Sequence, residues 1–292
     1  VISGAGKLVK DTNATGTLTL TGANSYTGGT SVDAGTVAVD ANTALGLGAA
    51  SFAKDTTLSL GIKNGVSVAN AIKTDGVITQ SNSFDSSLTG VISGAGQLVK
   101  EGTGLLSLTG ANSYSGGTQV AAGKVALDAN TALGAGSATF AKDTELSLGV
   151  TKGLSVANAI EVDGEVDVHS GKFDSSLTGI ISGAGSLVKD GTGQLSLTQD
   201  NTYSGGTQVA AGKVALDANA ALGTGKATFA QNTELSLGVT QGVSVANAVQ
   251  VDGAIKVHSG QFDSNLDGVV SGVGSLVKDG AGTLTLKGTN IY

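Results

Sequence analysis

The chain has 292 residues, of which 40% are hydrophobic, 47 are Gly and only 3% are aromatic; Pro, Cys, Met and Trp are absent. A formal charge of −7 repels nucleic-acid phosphates and anionic lipid, and the lack of Cys removes disulfides, thiolate nucleophiles and zinc ribbons. Glycine at about one residue in six, without an every-third spacing, points to many short strands and tight turns rather than to helices or collagen.

In chain order the first element is KLVK (7–10), a short run of period two after VISGAG (1–6). In GTLTLTG (16–22), Leu18 and Leu20 share one face, and Thr17, Thr19 and Thr21 share the other. ANSYTGGT (23–30) follows. Its Gly-Gly permits a bend, Asn can hydrogen-bond the turn and Tyr can cover it; as a ligand site it would offer a phenol, an amide and two backbone amides. The phrase returns as ANSYSGGT at 111–118 and DNTYSGGT at 200–207. Asn24, Tyr26, Asn112, Tyr114, Asn201 and Tyr203 are therefore read as a structural corner, with ligand contact as the lesser alternative. TVAVDA (36–41), TLSLG (57–61) and GVSVANAI (65–72) complete the first set of alternating strands. No helical period survives more than one turn, and no apolar run approaches the roughly 20 residues that span a bilayer.

Repetition organises everything else. VISGAG returns at 91–96, as IISGAG at 180–185 and as VVSGVG at 269–274, and the six Phe form two series, 52, 140, 229 and 84, 173, 262. The chain divides into repeat 1 (1–90), repeat 2 (91–179), repeat 3 (180–268) and the start of repeat 4 (269–292), expected to be one continuous solenoid. The fourth repeat breaks off inside its opening phrase, which implies a piece of a longer protein. Short one-faced strands without aromatic blade signatures suit a parallel β-helix: coils of three strands and roughly 22 residues stacked about 4.8 Å apart give about four coils per 89-residue repeat. The copies separate inside from outside. Thr17, Leu105, Gln194 and Thr283 occupy one position and differ in chemistry, while the leucines that follow them do not change.

Candidate chemistry is sparse. GAGKLV (4–9) and GTGKAT (223–228) lack the full phosphate-cradling spacing. Asp33 in a faintly calcium-loop-like stretch becomes Ala121 and Ala210. His169 and His258 stand 89 residues apart in VHSG, too far to share a metal, and repeat 1 has TQSN (79–82) there. Glu161, Asp163, Glu165 and Asp167 would line one strand face unless Asp163-Gly164 is a turn. With no Arg and no cleft-building insertion, the expectation is no enzyme, no catalytic or metal residue and no cofactor.

The stretch LVKEGTGLLSLTGANSYSGGTQVAAGKVALDANTALG (98–134), with related copies at 8–46, 187–223 and from Leu276, resembles the autotransporter-associated β-strand repeat of type V secretion passengers. The resemblance implies a right-handed parallel β-helix, display at the surface of a Gram-negative bacterium, and a C-terminal outer-membrane barrel outside this chain, the segment itself not being membrane-inserted. It implies an adhesin-like passenger that mediates bacterial adhesion or self-association through multivalent side-face contacts. Its partners would be a host or bacterial surface ligand or another copy of itself, and not nucleic acid. The alternative is a passive stalk that projects a separate domain.

Overall fold

The computed structural model describes residues 1–149, 151–238 and 240–292, and every regular element among them is a β-strand. The strands are two to five residues long, too short to stand alone. They stack in parallel, so each strand's backbone groups are satisfied by the coils before and after it. The chain falls into two compact units, Val1–Thr139 and Phe140–Tyr292.

In the first unit the chain visits three columns of strands in turn. One column holds Leu8–Lys10, Thr30–Val32, Ala50–Phe52, Ile72–Thr74 and Ile92–Ser93. A second holds Thr17–Leu20, Thr36–Val39, Thr57–Leu60, Val77–Gln80, Gln97–Lys100 and Thr118–Val120. The third holds Ser67–Val68, Ser86–Leu88, Leu105–Leu108 and Lys124–Leu127. Register pairs such as Thr17↔Thr36, Thr57↔Val77 and Leu8↔Thr30 fix the coil at 19, 20 and 22 residues. This is a β-solenoid, as the alternating strands predict.

The coil does not divide the repeat evenly. Leu8 and Leu98 hold the same place in repeats 1 and 2. Yet Leu8 pairs with Thr30 in the first column, whereas Leu98 pairs with Ile78 and Thr118 in the second. Within the second unit the same step recurs. Leu187 pairs with Val166 and Thr207, and its equivalent Leu276 pairs with Ile255 in a different sheet. A repeat therefore spans about four coils and one further side, and each such advance moves an equivalent residue to the next face.

The interior follows from the period of two. Val37, Leu58, Ile78 and Leu98, each at most 1% exposed, lie one above another from coil to coil, as do Val39 and Leu60; Leu88, Leu108 and Leu127 stack in the same way in the third column. Phe52 is buried in the first unit, and Phe140 and Phe229 in the second. The other Phe series faces outward, with Phe84 and Phe262 each 41% exposed.

Candidate functional site

The recurring ANSYSGGT phrase folds inward. Tyr26, Tyr114 and Tyr203 are at most 2% exposed, and Asn24, Asn112 and Asn201 at most 4%. Tyr is thus inside the coil rather than a cover laid over it. Tyr114 Oη lies 2.6 Å from Thr118 Oγ1, which donates to Leu133 O at 3.0 Å; Tyr26–Thr30–Leu45 and Tyr203–Thr207–Leu222 repeat the chain of bonds. Burial pushes the phenols of Tyr114 and Tyr203 well above their ordinary pKa. Asn112 joins three coils: its Oδ1 accepts from Ile92 N at 2.8 Å and its Nδ2 donates to Ala132 O at 2.7 Å. Asn201 does the same with Ile181 and Ala221. Gly134, at φ +76°, closes against the ring, since a Cβ there would sit 2.5 Å from Tyr114 O. A side chain so enclosed has almost no surface to present to a ligand.

Buried lysines are the groups that the sequence reading missed. Lys100 and Lys189 are 0% and 1% exposed. Lys189 Nζ donates to the carbonyls of Asp190, Gly191 and Ala211 at 2.8, 2.7 and 3.1 Å. Lys100 Nζ donates to Gly102 O and to Ala122 O, and Lys10 Nζ to Ala14 O and Ala34 O. Apart from Asp190 O, which also accepts from Ser170 N, these are corner carbonyls that the strand ladder leaves over, and the ammonium gathers them. Burial lowers both pKa values to about 8, opposed by the nearby carboxylates of Asp85 and Asp190 respectively. The signal was present in the alternation, because Leu98 and Lys100 lie two apart and must share a face.

Outward positions carry small or polar groups. Ser67, Ser87 and Ser107 form one row in the first unit, with Ser87 Oγ donating to Ser67 Oγ at 2.8 Å; Ser155, Ser176 and Ser196 form its counterpart in the second. After each outward Phe comes an Asp whose Oδ1 accepts a backbone N–H from the following coil: Asp85 from Leu105, Asp174 from Gln194 and Asp263 from Thr283, at 2.8, 2.9 and 2.7 Å. These bonds fix the turns beside the rings. The acidic run does not form one face. A bend at 163–164 leaves Glu161 in Ile160–Val162, paired with Ile181–Ser182, and puts Glu165 and Asp167 in Glu165–His169, paired with Ser186–Asp190. Among the described residues no group of three or more His, Cys, Asp or Glu is placed to hold a metal ion. His169 instead faces Asp190, Nδ1 to Oδ2 3.3 Å, and His258 faces Asp279 at 3.8 Å.

A parallel solenoid whose recurring phrase locks its corners from within is a repeat scaffold. The sequence pattern of the passenger-associated-transport-repeat family matches residues 15–39, 98–127, 187–216 and 276–292, once in each repeat. Over 118 residues the chain is 37% identical to the adhesin BmaC autotransporter of Brucella suis biovar 1 (strain 1330), a match covering 39% of this chain and 3% of that protein. No solved structure gives a significant match. These matches support a repeat-bearing autotransporter passenger segment at the cell surface or outer membrane of a Gram-negative bacterium. It spans a small fraction of the relative it matches.

Proposed function

We propose that this segment works by contact, without catalysis, as part of an adhesin passenger that joins the bacterium to a surface ligand or to another copy of itself. The observation that supports this reading is the outward Phe of each repeat, exposed in repeats 1 and 3 and half-buried in repeat 2, beside an Asp that fixes its turn. An aromatic ring held at a surface gains by burial against a partner. Because the equivalents Leu187 and Leu276 lie in different sheets of the second unit, contacts there are distributed around the coil. Linked weak contacts then add through effective concentration. The relative's designation as an adhesin agrees with this assignment.

A second reading, a stalk that lifts another domain from the membrane, is favoured by a different observation: the most regular residues, Asn112, Tyr114, Thr118 and their equivalents, point inward and only hold coils together. Beads coated with the 292-residue chain separate the two. Adhesion predicts clustering with one another or with target cells, lost when Phe84, Phe173 and Phe262 are changed to Ser. Clustering with neither, or clustering unchanged by the substitutions, refutes the contact reading through these rings and leaves the stalk.

A further inference from the structure

The unit Phe140–Tyr292 contains one furrow built twice from equivalent residues. In repeat 2 it is lined by Ser147, Gly149, His169, Gly171, Lys172 and Phe173 and encloses about 260 Å³. In repeat 3 it is lined by Ser236, Gly238, His258, Gly260, Gln261 and Phe262, extends to Gly280, and encloses about 720 Å³. The floor is a stack of glycines on successive coils. At Gly171 an added Cβ would meet nothing nearer than Gly149 O at 3.7 Å, so the space above it is open.

Repeat 1 shows what the furrow looks like when filled. Asn82 occupies the place of Gly171 and Gly260, and its Nδ2 donates to Leu60 O at 2.7 Å and to Gly61 O, across the position of Gly149 and Gly238. Thr79 replaces the imidazole there, paired with Ser59 as His169 is paired with Ser147 and His258 with Ser236. Repeat 1 reaches this arrangement with a different local backbone, since Asn82 lacks the positive φ of Gly171 (+45°) and Gly260 (+35°) and one more residue separates Thr79 from Phe84 than His169 from Phe173; repeats 2 and 3 carry no side chain at this point.

The walls define the ligand. A Phe ring and an imidazole both line each furrow. Because the facing Asp190 carboxylate can only accept when ionised, it keeps the proton of neutral His169 on Nδ1, which leaves Nε2 as an acceptor. Ser147 and Ser236 add hydroxyls. Lys172 in one copy is Gln261 in the other, so the charged groups common to both are the mutually paired His and Asp. What the two furrows share is an aromatic ring and uncharged hydrogen-bonding groups in one lining, the complement of a ring with apolar C–H faces and hydroxyl edges; in repeat 2 Lys172 Nζ lies over the Phe173 ring, 5.3 Å from its centroid, and moves aside for a sugar to stack on that face.

Resting on the contact reading above, we propose that these two furrows are binding sites for uncharged glycan chains, Phe173 and Phe262 stacking on a sugar face while His169 and His258 accept from its hydroxyls. The furrows lie in different sheets: His169 is between Ser147 and Asp190, and His258 is between Ser236 and Asp279. They open on different faces, so each takes its own stretch of glycan.

The test is calorimetric titration of the 292-residue chain with maltohexaose, cellohexaose and chitohexaose, with heparin as a charged comparator. At least one uncharged hexasaccharide should bind with a stoichiometry of two. Gly171→Asn, which puts an amide on the furrow floor in a residue type that tolerates positive φ, should reduce that to one, and Gly171→Asn with Gly260→Asn should abolish it. Phe173→Ala with Phe262→Ala should weaken binding about tenfold. Unchanged circular dichroism and melting would show that the variants remain folded. No binding of any uncharged probe, binding of heparin alone, or binding indifferent to both pairs of substitutions overturns the proposal. Bead clustering run alongside separates the two readings: clustering without oligosaccharide binding removes the furrows and keeps adhesion, while binding without clustering keeps the furrows and removes self-association.

Discussion

Tyr114 Oη and Thr118 Oγ1 lie 2.6 Å apart inside the coil, and the threonine hydroxyl donates onward to Leu133 O. The phenol therefore donates to Thr118, which is the middle of a buried relay. Tyr114→Phe removes the first bond and leaves the second intact, at a cost of about 1 kcal/mol. Thr118→Val strands both the phenol and the carbonyl, and should cost about 2–3 kcal/mol because two buried groups lose partners. Urea unfolding of the two single variants and the double variant measures the coupling. Additive losses would show that the hydroxyls do not interact.

The caged lysines give the fold an alkaline dependence whose sign can be worked out. Burial lowers Lys100 and Lys189 to about 8 in the folded chain, against an ordinary lysine value of 10.5. Between those values the unfolded chain binds more protons than the folded one, so stability rises with pH through that window. Tyr26, Tyr114 and Tyr203 act in the opposite direction above about 10, because their raised pKa values make the folded state the better proton binder. Chemical unfolding at intervals from pH 7 to about 11 should show a rise, then a fall. Lys100→Met should flatten the rise, and an equal slope in that variant would assign the dependence to other groups.

The two Phe series separate packing from display. Phe229 is fully buried, and Phe229→Ala should cost about 3–5 kcal/mol through lost burial and the cavity left behind. Phe262, 41% exposed, should cost under about 1 kcal/mol for the same change. Similar losses at both positions would mean that the outward rings support the fold. Thermal melts of the two variants decide the matter.

Period-two alternation was enough to place Leu18 and Leu20, Leu106 and Leu108 on one wall, and the turn chemistry of Asn, Tyr and Gly-Gly was enough to suggest a bend. Two features were hidden for physical reasons. Lys100 was passed over because a lysine is ordinarily solvated, and only the geometry of the corner shows carbonyls waiting for a donor. The furrows were hidden because Gly171 and Gly260 read as turn residues. Their significance appears only beside Asn82, whose amide bridges the corresponding carbonyls in repeat 1. The two histidines were correctly read as separated, but their surroundings depend on which coil lies above them, and a sequence states that only once the coil length is known to a residue.

Coil length is also what decides how the passenger meets its surroundings. In the first unit Val9, Ser31, Ser51, Lys73 and Ser93 form one outward column, each in register with the next. Val9 and Ser93 are four coils apart, about 19 Å at 4.8 Å per coil. Val99 is the repeat equivalent of Val9, but it sits in the neighbouring sheet, in register with Thr79 and Gln119. Nitroxide labels on cysteines at 9 and 93 should give a distance near 19 Å, whereas labels at 9 and 99 should be farther apart by the width of the coil. If a repeat held a whole number of coils, 9 and 99 would share a face and their distance would match or fall below that of 9 and 93. The first result would mean that lengthening such an array by one repeat adds height and also turns each displayed group to a new direction, so that repeat number sets the angular spread of contacts as well as their count.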